Sequence, residues 1–207
     1  MPTLQILIAS TRPGRVGLPV AQWFEAHARA HGAFDIDVAD LAEIGLPFMD
    51  EPNHPRLRQY THEHTRAWSA RVDAADAFAF VTPEYNAFPA PSLVNALDHL
   101  YHEWGHKAAA FVSYGGNPGG MRAAQAVKPL LTALQLMPLP QQVAIPSFTR
   151  LIGEDGIFRP TDAQARAADD EQLDRRCLDQ YRELAARQCV AAENRGEHDD
   201  VADDDEH

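Results

Sequence analysis

Leu4-Gln5-Ile6-Leu7-Ile8-Ala9-Ser10-Thr11-Arg12-Pro13-Gly14-Arg15-Val16-Gly17 is the stretch that decides the fold. It opens with an uncharged apolar run of strand length and passes into a polar loop punctuated by proline and glycine. The segment Gly17 to His31 then places Val20, Trp23, Phe24 and Ala28 at helical spacing. A buried strand feeding a helix whose apolar stripe packs back on the same sheet is the elementary unit of an α/β domain.

The unit recurs along the chain. Phe34 to Val38 alternates strictly, as a strand nearer the sheet edge does, and Ala77 to Thr82 is an uncharged central strand stopped by Pro83. Ala108 to Val112 and Gln142 to Ile145 supply a fourth and a fifth strand. Between them, helical stripes run through Leu57 to Asp73, Ala90 to Glu103 and Met121 to Leu136, and a Gly/Pro-punctuated loop spans Ile44 to Pro55. Thr161-Asp162-Ala163-Gln164 has the form of a capping box and opens a long polar helix reaching about Ala192. This order predicts an α/β, flavodoxin-like, doubly wound five-stranded parallel sheet of order 2-1-3-4-5 with helices on both faces. Residues 1–192 are expected to form one domain, followed by an acidic, disordered tail, 193–207.

The formal net charge is −12, but Glu193 to His207 holds eight acids and one Arg. Without that segment, 30 acids and 18 bases become 22 and 17, a net of about −5. No basic stripe appears, which argues against a nucleic-acid partner. Leu4 to Ala9 is far too short to span a membrane, and no signal-like segment opens the chain, so no membrane association and a cytoplasmic location are expected. Cys177 and Cys189, on one predicted helix, would lie roughly 18 Å apart, too far for a disulfide.

In a doubly wound sheet the ligand sits at the carboxyl ends of the strands, where the strand order reverses. That rule nominates three loops. Ser10 to Gly17 joins hydroxyls, two arginines and the free N–H groups of a helix start, which together make a phosphate cradle. It lacks the glycine spacing of nucleoside-triphosphate and dinucleotide loops, so a single terminal phosphate fits better than a pyrophosphate. Pro83-Glu84-Tyr85-Asn86-Ala87-Phe88-Pro89 offers backbone groups and an aromatic face to a flat heteroaromatic ring. Ser113-Tyr114-Gly115-Gly116-Asn117-Pro118-Gly119-Gly120 lets main chain approach a ligand closely. Any one of these loops alone also reads as an ordinary turn.

Taken together with Asn95-Ala96-Leu97-Asp98, the Ser-Thr-Arg, Pro-Glu-Tyr-Asn and Tyr-Gly-Gly runs resemble the NAD(P)H-dependent FMN reductase family, which includes quinone, azo-dye and chromate reductases. The resemblance covers about residues 4 to 146. It implies that Ser10, Arg12 and Arg15, with the amides of Val16 and Gly17, grip the FMN phosphate. It also implies that Pro83, Glu84, Tyr85 and Asn86 hold the isoalloxazine, while Ser113, Tyr114, Gly115 and Gly116 lie against its pyrimidine side. Leu46 to Glu51 looks like the family's loop that reaches towards a partner subunit's site. The chain departs from the pattern at Val94, where members commonly have Lys, and at His99, where they have an aromatic residue.

The function implied is transfer of two electrons from NADPH or NADH, through FMN, to a small acceptor such as a quinone, free flavin, azo compound or metal oxyanion. The order is ping-pong: hydride passes to the flavin N5, the oxidised nucleotide leaves, and the acceptor uses the same face. N–H groups at Gly115 and Gly116 would stabilise charge developing near N1 of the reduced ring. No side chain need act as nucleophile or general base; Glu84 reads as a solvated loop acid that binds through its backbone. The alternative is an FMN-binding electron carrier or redox-sensing module without sustained turnover.

His99, His102 and His106 fall at i, i+3 and i+7, but Gly105 breaks the helix before the last, and no metal site is expected. His62 and His64 are expected on different sides of a helix. Tyr101, Trp104 and the Phe48-Met49 pair suit either the core or the interface of a homodimer or homotetramer.

Overall fold

The computed structural model describes residues 1–140 and 142–170. The expected continuation of the last helix to Ala192, the cysteine separation and the acidic tail lie outside the described residues. The sheet is built from β1 (Thr3–Ile8), β2 (Asp35–Asp40), β3 (Ala77–Pro83), β4 (Ala108–Gly115), β5 (Met137–Pro138) and β6 (Val143–Pro146). Its order is β2-β1-β3-β4-β5, with β6 also on β4, and every pairing is parallel.

The predicted fifth strand is two segments of one edge. Met137 and Pro138 pair with Ala108 and Ala109 at the start of β4, and Val143 to Pro146 pair with Val112 to Gly115 at its end. Pro138 and Pro140 have no N–H to give the ladder; the Leu139 amide between them donates to the Ala109 carbonyl (2.8 Å), after which the pairing breaks until Val143.

Alternation along the central strands sorts the core into two layers. Leu4, Ile6 and Ile8, with the small residues Ala77, Ala79, Ala108 and Ala110, meet Val20, Phe24 and Ala28 of α1 (Leu18–His31) and Ala168 of α6 (Asp162–Asp170). On the other face Leu7, Phe78, Phe80 and Phe111 meet α3 (Glu63–Asp73), α4 (Pro91–Asp98) and α5 (Met121–Ala133) through Trp68, Leu93, Leu97 and Leu131. A short helix, α2 (Leu41–Ile44), follows β2 with the Asp40 side chain as its N-cap, accepting from the Ala42 amide at 3.0 Å.

Two predicted helices are shorter than their apolar periodicity suggests. The stripe from Leu57 begins as a 3-10 turn at Pro55–Leu57 and is broken at Arg58, whose φ of +50° closes the turn; helix resumes only at Glu63. The Glu51 carboxylate accepts from the amides of Thr61 (2.7 Å) and His62 (3.0 Å), fixing from the preceding loop the two residues that lead into α3. α4 stops at Asp98 instead of Glu103. Beyond it the chain folds back so that the Trp104 indole donates to the Leu97 carbonyl (3.0 Å), and Trp104 is fully buried in the core.

Candidate functional site

The loops after β1, β3 and β4 meet at the carboxyl end of the sheet, as the strand order requires. They surround a cleft of about 230 Å³ lined by Ser10, Arg12, Arg15, Val16 and Gly17, by Pro83, Glu84 and Tyr85, and by Tyr114 and Gly115. Phe148 and Thr149 complete the lining. These last two were missed because only three loops were nominated, although the carboxyl end of the fifth strand reaches the same rim.

The first loop is locked from below and open above. The Ala9 amide donates to the Val81 carbonyl (3.0 Å), and the Ser92 hydroxyl donates to the Ala9 carbonyl. Arg15 donates to the Ser10 carbonyl (2.8 Å) and forms a two-pronged ion pair with Asp40 at the end of β2. Hydrogen bonding to Asp40 raises the Arg15 pKa above its usual value. Burial alone would raise the Asp40 carboxyl, but the Arg15 guanidinium and the Ala42 amide outweigh it and hold the group below the ordinary carboxylate value. Arg15 therefore fixes the shape of the loop. Arg12 is exposed and, among the described residues, forms no ion pair. α1 starts at Gly17 with no side-chain cap and with proline in its first turn, so its amino end presents an uncompensated positive dipole beside Arg12.

The Ser10 and Tyr85 hydroxyls are 3.2 Å apart, joining the first loop to the second. The Tyr85 and Phe88 backbones exchange hydrogen bonds of 2.8 and 3.0 Å across a tight turn in which Asn86 (φ +53°) and Ala87 (φ +69°) are both left-handed. Asn86 therefore shapes the turn and does not line the cleft. The Glu84 amide donates to the Tyr114 carbonyl (3.0 Å), and its carboxylate is buried against Arg122 at the start of α5, which donates through Nε at 2.8 Å. The expectation of a solvated Glu84 is thus overturned: its partner lies 38 positions away, beyond any local pattern.

The third loop is pinned to the sheet edge. Gly119 (φ +62°) and Gly120 (φ +84°) pass so close to neighbouring backbone that a Cβ on Gly119 would stand 2.8 Å from the Pro146 nitrogen and one on Gly120 2.6 Å from the Tyr114 nitrogen. Ser113 is fully buried and donates to the Gly119 carbonyl (2.9 Å), so it braces the loop from outside the cleft. Around Gly116 there is open space. Tyr114 extends towards α1, and its ring packs against Phe148 with centroids 4.8 Å apart and planes inclined at 57°; burial pushes its hydroxyl pKa up, so it remains a neutral donor.

On the other side of Tyr85 and Arg12 lies a wider cleft of about 510 Å³, walled by Leu41, Leu46, Pro47, Phe48, Pro91 and Asn95. Asn95 holds its outer wall, donating to the Pro47 carbonyl (2.7 Å) and accepting from the Met49 amide (3.0 Å). Phe48 is 85 % exposed at its lip. The spacing of His99 and His102 does not bring them together: His99 follows α4 and is buried, while His102 bonds at the surface to the Arg56 carbonyl (2.9 Å). His62 and His64, expected apart, stack ring on ring at 5.2 Å, because His62 is the extended residue preceding α3 and not part of the helix.

The donor set in the smaller cleft suits a phosphate monoester: hydroxyls of Ser10 and Tyr114, the unpaired Arg12 and an open helix start, with the one buried carboxylate, Glu84, neutralised by Arg122. Residues 2–150 match the family model for NADPH-dependent FMN reductase. An NAD(P)H-dependent FMN reductase from Schizosaccharomyces pombe is 41% identical over 126 residues, 60% of this chain and 63% of that protein, so the match spans less than two thirds of that relative. A second, from Nectria sp, is 33% identical over 152 residues, 70% of this chain and 76% of its own length. Among solved structures, the flavoenzyme NAD(P)H:(acceptor) oxidoreductase FerB from Paracoccus denitrificans superposes with a TM-score of 0.63 at 19% identity, covering 90% of this chain and 98% of that one, a likeness of fold.

Proposed function

Because the chain belongs to the NADPH-dependent FMN reductase family, we propose that it is an FMN-dependent oxidoreductase carrying two electrons from a nicotinamide nucleotide to a small acceptor. The observation that carries this reading is the contrast between the two arginines of the first loop. Arg15 is consumed by Asp40, whereas Arg12 forms no ion pair among the described residues and stands beside the uncapped start of α1, where an anion has the most to gain.

Ser10, Arg12, Tyr114 and the amides of Val16 and Gly17 hold the phosphate of FMN. Pro83 to Tyr85 would supply an apolar and backbone edge for its ring, and the amides of Gly115 and Gly116 would donate to its polar edge and favour added negative charge there. FMN, when bound, supplies the two-electron chemistry that no side chain here can carry. The residues bordering the wider cleft, Phe48 and Pro91 with Tyr85, orient the nicotinamide and exclude water from its path. The nucleotide leaves before the acceptor enters, so both substrates use this opening in turn. A quinone, a free flavin, an azo compound or a metal oxyanion is small enough to follow it.

The test is an FMN titration of the purified full-length protein, followed by NADPH and NADH oxidation with a quinone present. Saturable FMN binding, sustained turnover and parallel double-reciprocal plots are expected, with Arg12→Ala weakening FMN by roughly tenfold to a hundredfold, the range of a lost charge-assisted hydrogen bond. Failure to bind FMN supplied in excess overturns the assignment. Stoichiometric flavin reduction without turnover would make the protein a carrier instead.

A further inference from the structure

Outside the flavin cleft, three chemically matched groups from separate elements point at one another. We propose that Asp50, His64 and His99 form a binding site for one divalent transition-metal cation, which clamps the outer wall of the wider cleft to the body of the domain. Asp50 lies in the loop that supplies Leu46, Pro47 and Phe48 to that wall, His64 lies in the first turn of α3, and His99 follows α4. One ligand atom from each lies within 4.8 Å of the other two, and His64 Nε2 is 2.9 Å from Asp50 Oδ1.

His99 carries the argument. It is wholly buried, and its Nδ1 lies 2.7 Å from the Asn95 carbonyl oxygen, which can only accept. The proton therefore sits on Nδ1, leaving Nε2 with a lone pair, and this buried Nε2 has no hydrogen-bond partner among the described residues. An imidazole whose far nitrogen donates to a carbonyl while its near nitrogen offers a free lone pair is the arrangement by which proteins hold a metal-ligating histidine. The surroundings keep the second imidazole in place as well. The His62 ring stacks on His64 at an interplanar angle of 8°, and His62 Nε2 lies 3.2 Å from the Asp50 carbonyl. The His64 and His99 rings meet edge-on at 6.3 Å.

Two imidazole nitrogens and one carboxylate make a borderline donor set suited to zinc and its first-row neighbours, with a fourth position left to water. Ligands about 2.0–2.2 Å from zinc in tetrahedral geometry stand roughly 3.3–3.5 Å apart, so closure requires side-chain movements on the order of 1 Å. Binding involves no redox step: the metal takes the lone pair of His99 Nε2 and replaces the proton that His64 Nε2 shares with Asp50, which moves to solvent or to Nδ1. Asn95 already ties Pro47 and Met49 to α4, and Asp50 and Glu51 bond to the residues that open α3; a cation at Asp50 would add a direct link from that wall to both helices.

The test uses chelator-treated full-length protein without added flavin, which separates it from the FMN assignment. Calorimetric titration with Zn2+ should show one tight site per chain, and Co2+ should give intense visible bands typical of low coordination number. Asp50→Asn and His64→Gln, both partly exposed positions, should each weaken that site by about tenfold or more and abolish the Zn2+-induced rise in Tm. His102→Gln should bind as the parent does. Absence of a tight site, or one that survives both substitutions, overturns the proposal.

Discussion

The Tyr114 hydroxyl fills the space in which a side chain on Gly17 would begin: a Cβ built on Gly17 overlaps the end of the phenol ring. The end of β4 and the N-cap residue of α1 are thereby fitted to each other at the floor of the cleft. Gly17→Ala should push Tyr114 out of its seat, costing about 1–3 kcal/mol of stability as overpacking does. FMN affinity should fall by about tenfold or more as the phosphate end is disturbed. Urea unfolding and a fluorescence titration with FMN check both. Because the overlap involves ring carbon as well as oxygen, Gly17→Ala with Tyr114→Phe should remain destabilised, whereas Gly17→Ala with Tyr114→Leu should recover stability; a normal Gly17→Ala protein would refute the packing account.

The second relationship is the ion pair of Glu84 and Arg122, in which the carboxylate is buried and the guanidinium is mostly exposed. Among the described residues, Arg122→Met leaves the Glu84 carboxylate with only the backbone amide of position 122, at 3.2 Å. A buried, under-compensated charge is costly, so the Pro-Glu-Tyr-Asn loop should shift to hydrate it. The expected result is FMN binding weakened by roughly tenfold with a smaller loss of stability, about 1–2 kcal/mol. Glu84→Gln with Arg122→Met should restore part of the binding, because it removes the stranded charge; a double variant worse than the single would sink this explanation.

Asp40 makes a pH prediction. Its folded pKa is depressed below the ordinary 3.8, since bonding to Arg15 and the Ala42 amide outweighs burial. A depressed carboxylate contributes stability that is present above its unfolded pKa and is lost as pH falls through the folded value. Stability should therefore decline below about pH 4, with Asp40 among the contributors. Asp40→Asn should cost about 1–3 kcal/mol at neutral pH and flatten the acid limb of the stability profile. Urea midpoints measured from pH 7 down to pH 3 decide it: an unchanged acid limb would rule out Asp40 as a contributor.

How far this was legible in the sequence depends on the range of the forces involved. The sheet order and the meeting of three loops follow from short-range periodicity and the handedness of βαβ crossovers, and the apolar runs 4–9 and 77–82 carry that signal without ambiguity. The breaks at Arg58 and after Asp98 were hidden because their causes are tertiary. The Trp104 indole reaches back to the Leu97 carbonyl, and the buried Glu103 carboxylate collects Tyr60 (2.9 Å), Ser69 (2.7 Å) and Arg58 (3.2 Å) from over thirty positions away. The same distance effect concealed the partner of Glu84 and the meeting of His99 with His64. Spacing along a helix could suggest only His102 and His106 as companions for His99.

The turn Tyr85-Asn86-Ala87-Phe88 supplies a last prediction, because it sets the position of Tyr85 between the two clefts. Both central residues have positive φ, a conformation that crowds the Cβ against the carbonyl; asparagine offsets this by local hydrogen bonding of its side chain, whereas alanine bears the strain in full. Ala87→Gly should therefore raise stability by about 0.5–1 kcal/mol, the relief of left-handed strain less the added freedom of glycine in the unfolded chain. Ala87→Val should lower it by more, since a β-branched side chain is worse placed there. If the turn only carries Tyr85, Ala87→Gly should leave FMN affinity and turnover unchanged while Ala87→Val weakens both. Thermal melts and FMN titrations of the two variants make the comparison, and a destabilised Ala87→Gly protein would mean that residue 87 is not left-handed in solution.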